Sequence, residues 1–237
     1  MTDATIHQVH RELKYRVDEA EASRLEAIFE REVPLRPRIR GQRETLVRGV
    51  YLDFSDHSLT RRSLASPTDN EKVRYRHYES PSLFRGTIEA DVMVWLEVKV
   101  RKGDVVTKER IAFRGPLMPR LLDGEEAAPE DAPALSALLA RGQLQPVVAV
   151  RYRRAAFELP DGSLRLTVDR DVAFQRPEHP GHKTPDVGQL GGCVVELKAT
   201  GGIPGWLSEA MRPHPTSEIS KFETAVRATG LATLLGA

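Results

Sequence analysis

The sequence has little of what marks several common protein classes. One cysteine in 237 residues, Cys193, excludes an intramolecular disulfide framework and fits a reducing compartment. No stretch approaches the roughly 18 consecutive apolar residues of a membrane-spanning helix. The N-terminus, MTDATIHQVHRELKYR, lacks the apolar segment of a secretory signal. We therefore expect a cytoplasmic protein.

Motifs that would assign a common chemistry are absent as well. The sequence has no Gly-x-x-x-x-Gly-Lys phosphate loop and no Gly-x-Ser-x-Gly nucleophile elbow. Its 7 histidines are scattered without the spacing of a zinc site. Aromatic residues make up only 6% and do not accompany the basic segments, so we expect no nucleic-acid partner.

Hydrophobic alternation predicts a mainly β (α+β) protein. A helix is expected from Asp18 to Pro34, short helices within 116–145, and helices near 204–212 and 217–235; residues 175–191 are expected to be a polar loop. No internal repeat or long linker divides the chain, so we expect one domain over 1–237, a closed antiparallel barrel with peripheral helices. The predicted strands are 11–17, 46–54, 57–63, 71–79, 91–101, 104–113, 147–159, 164–174 and 193–199. Strand 57–63 is predicted to be the hairpin partner of strand 46–54.

Charge is balanced over the whole chain but not along its strands. The net charge is +1, from 35 basic and 34 acidic residues. Side chains two residues apart on a strand share a face, and on that criterion most strands carry a basic face with about one acidic residue for every three basic ones. These faces are Glu12, Lys14 and Arg16; Lys72, Arg74 and Arg76; Glu97, Lys99 and Arg101; Lys108 and Arg110; Tyr152 and Arg154; Arg165, Thr167 and Asp169; Glu196 and Lys198.

Two interpretations of these faces are open. They are either the solvated faces of a half-buried sheet or the lining of a barrel. Inside a barrel, like charges need compensation, which a polyanion supplies, since arginine and lysine suit phosphate oxygens. The few carboxylates could then hold a divalent cation against the phosphates. The second interpretation predicts a basic, metal-assisted phosphate tunnel.

The same segments resemble a known family. The block PVVAVRYRRAAFELPDGSLRLTVD (146–169) resembles a Tyr-x-Arg-x-Ala-Phe strand, a turn and an Arg-x-(Thr/Ser)-x-Asp strand. The segments LKYRV, VYLDF, KVRYR, LEVK, TKER, VVELK and ISKF follow the family order around it. From about residue 12 to the end, the chain resembles the VTC domain, the polyphosphate-polymerising module of the vacuolar transporter chaperone complex, among the triphosphate tunnel metalloenzymes.

This resemblance implies an eight-stranded antiparallel tunnel in which polyphosphate is extended from ATP or another nucleoside triphosphate. It implies Glu196 as the ligand of Mn²⁺ or Mg²⁺ and Lys221 as the lysine beside the transferred phosphate, with Arg154 and Arg165 as further catalytic residues. Tyr152 and Ser220 would donate or accept hydrogen bonds. Lys198 joins the phosphate-binding set because it shares a face with Glu196. The phosphate-binding positions implied by the resemblance are Lys14, Lys72, Arg74, Arg76, Lys99, Lys108, Arg110, Arg154 and Arg165.

The resemblance leaves other functions open. Hydrolases of this superfamily open with Glu-x-Glu-x-Lys, but here His10 replaces the first Glu before Glu12 and Lys14. Triphosphate hydrolysis is therefore the second candidate, and a non-catalytic polyphosphate sensor is the third. The eukaryotic members' inositol-phosphate-sensing domain and membrane helices have no counterpart in this sequence, so regulation and a membrane partner are left open.

Overall fold

The computed structural model describes residues 11–79, 92–177 and 185–236, apart from 104, 116, 126, 127, 129 and 131. No helix within these residues is long and apolar enough to cross a membrane. The strands are β1 (Arg11–Val17), β2 (Glu44–Asp53), β3 (Asp69–Glu79), β4 (Met93–Lys102), β5 (Val105–Arg114), β6 (Gln145–Glu158), β7 (Leu164–Gln175), β8 (Asp186–Gln189) and β9 (Cys193–Ala199). The helices are α1 (Glu19–Glu32), α2 (Ser58–Ala65), α3 (Leu117–Leu122), α4 (Pro133–Leu139), α5 (Gly205–Met211), α6 (Lys221–Ala228) and α7 (Leu231–Leu234).

The strands form one antiparallel sheet in the order β1-β9-β7-β6-β2-β3-β4-β5, with β8 paired to β7. The expected closed eight-stranded tunnel is not confirmed, because no pairing joins β1 to β5 in the described part of the chain. Part of the β1 edge is taken by the C-terminal segment instead. Tyr15 forms a bridge with Thr216, and the Ser217 N–H donates to the Lys14 carbonyl at 2.8 Å. The sheet still curls, since Lys99 on β4 comes within 4.0 Å of Glu12 on β1.

Alternation gives β4, β7 and β9 an apolar outer face and a charged inner face. On β7, Leu166 and Val168 are fully buried in a core that also contains Phe29 of α1, whereas Arg165 and Asp169 lie on the opposite face. A second core packs α3 and α4 over β3, β4 and β5, and a third packs α6 on β2, β6 and β7. Helices α1, α3 and α4 therefore cover the outside of the sheet, whereas α6 packs on the inner face against Tyr51 and Tyr152.

Helix α1 forms as its sequence predicts. The Asp18 carboxylate caps it by accepting from the Glu21 N–H at 2.8 Å, and Ala22, Leu25 and Phe29 are fully buried at helical spacing. The helix stops at Val33, before Pro34. The helix thus covers the outer side of the sheet along one continuous apolar stripe.

The prediction of a hairpin strand over 57–63 is wrong, because this segment is helix α2. The buried Asp53 carboxylate ends β2 and binds the start of the helix, accepting from the N–H groups of Leu59 and Thr60 at 3.0 and 2.8 Å. The Thr60 hydroxyl donates to the same carboxylate at 2.5 Å. Thr60 and Ser63 are buried at helical spacing, and such small polar residues carry no hydrophobic signal.

Two other segments differ from their predictions. The polar loop predicted over 175–191 contains strand β8, where Asp186 binds Arg151 and accepts from the Gln175 side chain at 3.0 Å; residues 178–184 lie outside the described part. The single helix predicted over 217–235 is two helices, α6 and α7. Gly230, at φ 78°, separates them in a backbone conformation that favours glycine. Residue 91, within another predicted strand, also lies outside the described part.

Candidate functional site

The strand register gathers the predicted basic residues on the inner side of the sheet. Lys72, Lys99 and Lys108 stand opposite one another on β3, β4 and β5, and Lys14 stands opposite Glu196 on the other half of the sheet. The carboxylates of this lining are Glu12, Glu97, Asp169, Glu196 and, from α6, Glu223. Its cations are Lys14, Lys72, Arg74, Arg76, Lys99, Lys108, Arg110, Arg154, Arg165, Lys198 and Lys221. The ion pairs below show that these side chains converge.

Glu97 on β4 is a shared partner for cations from the two neighbouring strands, β3 and β5. Its carboxylate lies 2.7 Å from Arg74, 2.6 Å from Lys108 and 3.4 Å from Arg110, with Arg76 at 3.9 Å. Burial alone would raise the pKa of Glu97, but the surrounding cations hold it well below its usual range. One carboxylate therefore keeps several cations close together without neutralising them.

Burial and the excess positive charge shift the pKa values of two residues in this cluster, Lys108 and Tyr78. Burial is the main cause that lowers the pKa of Lys108 to about 7, with Arg74 and Arg76 adding to it and Glu97 opposing it. Burial would raise the pKa of Tyr78, but Arg76 and Arg110 lower it to about 7. The Tyr78 hydroxyl accepts from Arg110 at 3.0 Å. Both groups titrate near neutral pH and would respond to a bound anion.

Asp169 on β7 organises the other half of the site. This fully buried carboxylate accepts two hydrogen bonds from Arg154, at 2.6 and 2.7 Å, and contacts Lys221 Nζ at 2.7 Å. Burial would raise the pKa of Asp169, but Arg154 and Lys221 lower it. The carboxylate thus fixes both cations, one from the sheet and one from α6, at a single position.

A third cluster lies where β1 and β9 meet. Glu196 contacts Lys198 at 3.1 Å, and Glu12 contacts Lys14 at 3.2 Å and Lys198 at 3.5 Å. Although burial opposes ionisation, Lys198, Arg154, Lys221 and Lys14 hold the pKa of Glu196 well below its usual range. Glu196 is therefore an ionised carboxylate surrounded by cations.

The N-terminus of α6 brings a further group of predicted residues to the site. Ser220 caps the helix by accepting from the Glu223 N–H at 3.3 Å, and Lys221 is the first helical residue. Lys72 reaches this end from β3, lying 3.0 Å from Glu223 and 3.5 Å from the Ser220 hydroxyl. The helix start thus joins the two halves of the sheet across the inner face.

Tyr152 combines a core role with a place beside the cations. It is buried in the core that includes Val47 and Phe222. Its ring also lies 5.1 Å from the Arg154 guanidinium and 5.2 Å from Lys221 Nζ, so it supports both cations through its π face.

Some central residues of the site have no role in the prediction from sequence. Glu97 and Asp169 lie on the predicted charged faces but were not assigned to the site, because strand spacing shows which side chains share a face and not which partners meet across strands. Tyr51, whose hydroxyl accepts from Arg74 at 3.0 Å, and Tyr78 carried no separate signal.

The side chains available as metal ligands indicate how the site could bind the Mn²⁺ or Mg²⁺ that the resemblance implies. The described residues contain no group of three or more His, Cys, Asp or Glu side chains that could hold a metal ion. Mg²⁺ in phosphate-transfer sites, however, is often bound by one or two carboxylates together with substrate phosphates. The ionised Glu196, in electrostatic contact with Glu12, fits a metal shared with a phosphate chain and does not fit a protein-only metal site.

Comparison with known proteins identifies the family. The model of the VTC domain matches residues 9–229. The chain belongs to the VTC domain family. No curated protein is significantly similar to it in sequence.

Solved structures with a similar arrangement are distant from this VTC-domain chain. The PH1819 protein from Pyrococcus horikoshii OT3 is 13% identical with a TM-score of 0.48, covering 92% of this chain and 98% of that one. A putative adenylate cyclase from Bacillus halodurans is 14% identical with a TM-score of 0.48, covering 97% and 90%. Another from Vibrio parahaemolyticus is 14% identical with a TM-score of 0.42, covering 97% and 89%. At these TM-scores the neighbours carry no argument about the chain's function.

Proposed function

We propose that this VTC-domain protein is a polyphosphate polymerase that transfers the γ-phosphate of a nucleoside triphosphate to a polyphosphate chain. The observation that supports it is the charge of the inner face, where eleven cations meet five carboxylates. Partly buried cations in such excess need an anionic ligand. A chain of phosphates supplies one negative charge after another along the curled sheet.

The proposed reaction needs little from the protein beyond alignment and charge. A terminal oxygen of the acceptor chain forms a bond to the γ-phosphorus while the bond to the β–γ bridging oxygen breaks and the nucleoside diphosphate leaves. The attacking oxygen is already anionic at neutral pH, so no general base is required. Lys221 and Arg154, held in place by Asp169, are positioned to stabilise the charge of the transferring group.

Other residues would orient or bind the phosphates on either side of the transferred group. Lys72 and Ser220, at the start of α6, are placed to orient a phosphate next to Lys221. Arg74, Lys108 and Arg110, which Glu97 holds close together, would bind neighbouring phosphates. A divalent metal held by Glu196 and the substrate would neutralise charge on the β- and γ-phosphates.

The decisive experiment is to incubate the purified protein with ATP and Mn²⁺ or Mg²⁺ and to separate long polyphosphate from free phosphate. Long polymer supports the proposal. Free phosphate without polymer would show a triphosphate hydrolase instead. Tight triphosphate binding with neither product would show a sensor.

A further inference from the structure

A surface pocket lies where the C-terminal end of α6 meets α2. Its volume is about 370 Å³, which is within the size range of small-molecule sites. Two of its lining residues are arginines, the others are apolar, and none is Asp or Glu. The lining residues are Arg61, Leu64, Ala65, Arg227 and Leu235. None of them belongs to the basic lining of the inner face, so the pocket is a separate feature in which two cations stand next to an apolar wall.

The two arginines of the pocket have no acidic partner. Within the described part of the chain, neither Arg61 nor Arg227 makes an ion pair. Backbone carbonyls position Arg61, whose Nε donates to Asp56 at 3.3 Å and whose Nη1 donates to Leu235 at 3.1 Å. Arg227 is exposed in the last turn of α6. Because a guanidinium has five N–H donors, both side chains keep donors for a bound anion.

Helix α6 connects this pocket to the inner face of the sheet. Lys221 is its first residue, and Arg227 follows about 9 Å further along the helix axis. Between them, Phe222 and Val226 are buried in the core on β2, β6 and β7, and Leu64 of α2 packs against the same core. The pocket therefore lies between α2 and the helix that carries Lys221.

We propose that this pocket binds a small amphiphilic anion, a carboxylate with a short hydrocarbon tail, and that the bound ligand holds α6 against α2. The carboxylate would lie between Arg61 and Arg227, since guanidinium groups pair with carboxylate oxygens. The tail would cover the apolar wall of Leu64, Ala65 and Leu235. An inorganic phosphate chain has no apolar part that could cover this wall. The inference goes beyond the proposed function, because this ligand takes no part in phosphate transfer.

The test titrates octanoate into the protein by calorimetry, without added metal or nucleotide. Acetate lacks the tail and 1-octanol lacks the charge, so each should bind at least about tenfold more weakly than octanoate. Arg227→Gln should weaken octanoate binding about tenfold, because it removes a charge-assisted contact. The matched control is Arg31→Gln, since Arg31 is an exposed arginine in the last turn of α1 that does not line the pocket. The control should leave the affinity for octanoate unchanged.

A second variant tests the apolar half of the site. Ala65→Leu places a larger side chain at the exposed end of α2, where it would take the space of the tail while both arginines remain. This variant should lose octanoate binding.

Hydrogen exchange tests the effect of the ligand on α6. At about ten times its dissociation constant, octanoate should slow the exchange of α6 amides by up to about tenfold, because it opposes the separation of α6 from α2. The amides of α1 should exchange at an unchanged rate.

Three results would overturn the inference. Absence of octanoate binding at millimolar concentration, or equal affinity for octanoate and 1-octanol, would exclude the site. If Arg227→Gln weakens binding of tripolyphosphate as much as binding of octanoate, the arginine belongs to an inorganic phosphate site instead. Unchanged exchange of the α6 amides with octanoate bound would exclude the effect on α6. None of these measurements uses turnover, so their outcome is separable from that of the proposed function, and melting curves check that the variants fold.

Discussion

Asp169→Asn isolates the role of one buried carboxylate. The substitution keeps the shape of the side chain but removes the charge that pairs with Arg154 and Lys221, at 2.6 and 2.7 Å. Asp169 is fully buried, and the side chains of the two cations are only 12% and 13% exposed. The change therefore leaves two buried cations without their shared partner.

The expected cost follows from this burial. Removing one partner of a buried ion pair costs about 3–5 kcal/mol, because the remaining charge is left uncompensated. For a chain of this size, each kcal/mol lowers the melting temperature by about 2–4 °C. We expect Asp169→Asn to melt about 10 °C below the wild type in buffer without multivalent anions.

An anion should reverse part of this loss. With a negative charge removed from the inner face, tripolyphosphate should bind the variant more tightly and raise its melting temperature more than that of the wild type. The assay is a thermal melt with and without tripolyphosphate. Asp171→Asn is the matched control, since Asp171 lies two residues later on β7 and pairs with Arg153 at the surface. An exposed pair contributes about 0–1 kcal/mol.

Two results would refute the reasoning. If Asp169→Asn melts within about 2 °C of Asp171→Asn, the buried cations do not depend on Asp169. If tripolyphosphate stabilises the wild type and Asp169→Asn equally, the freed cations do not contact the anion.

Three other predictions test the site and the fold. Sulfate, whose charge is constant over this range, should bind several-fold more weakly at pH 8 than at pH 6, because Lys108 loses its positive charge and Tyr78 gains a negative one as pH rises through about 7. Lys108→Gln and Tyr78→Phe should each flatten the pH dependence of sulfate affinity measured by calorimetry. An unchanged pH dependence in both variants would contradict the assignment. Glu196→Gln should abolish metal-dependent polymer formation, while its affinity for tripolyphosphate without metal is unchanged or higher. Lys221→Ala should lower kcat more than substrate affinity. Full polymerase activity of Glu196→Gln would show that Glu196 is not the metal ligand. Asp53→Ala should destabilise the fold by about 2–4 kcal/mol in urea denaturation, because it removes the cap of α2 and leaves buried donors unpaired. The control is Asp56→Ala, which removes one exposed hydrogen bond from the Ser58 N–H and should cost about 1 kcal/mol or less.

The strands that bound the site could be predicted because each has one apolar face under the helices. Leu166 and Val168 alternate with Arg165 and Asp169, and this alternation is a local property of the sequence. Helix α2 could not be recognised in this way, because its start depends on the buried Asp53 carboxylate and its buried side chains include Thr60 and Ser63.

Sheet closure is a non-local property that alternation does not determine. The pairing of Thr216 with the edge of β1 comes from a segment about two hundred residues away along the chain. The same limit applies to the site. Strand spacing gathered the cations on one face, but it could not show that Glu97 joins three strands or that Asp169 joins the sheet to α6.

The two faces of β7 also restrict how the chain can change in length. Leu166 packs under α1 while Arg165 and Thr167 face inward, so inserting or deleting one residue within the strand would exchange these faces. Such a change would place a guanidinium in the hydrocarbon core and a leucine among the cations at once. Length variation among related sequences should therefore be confined to the connections between strands, and an alignment that places a gap within β7 should be treated as an alignment error.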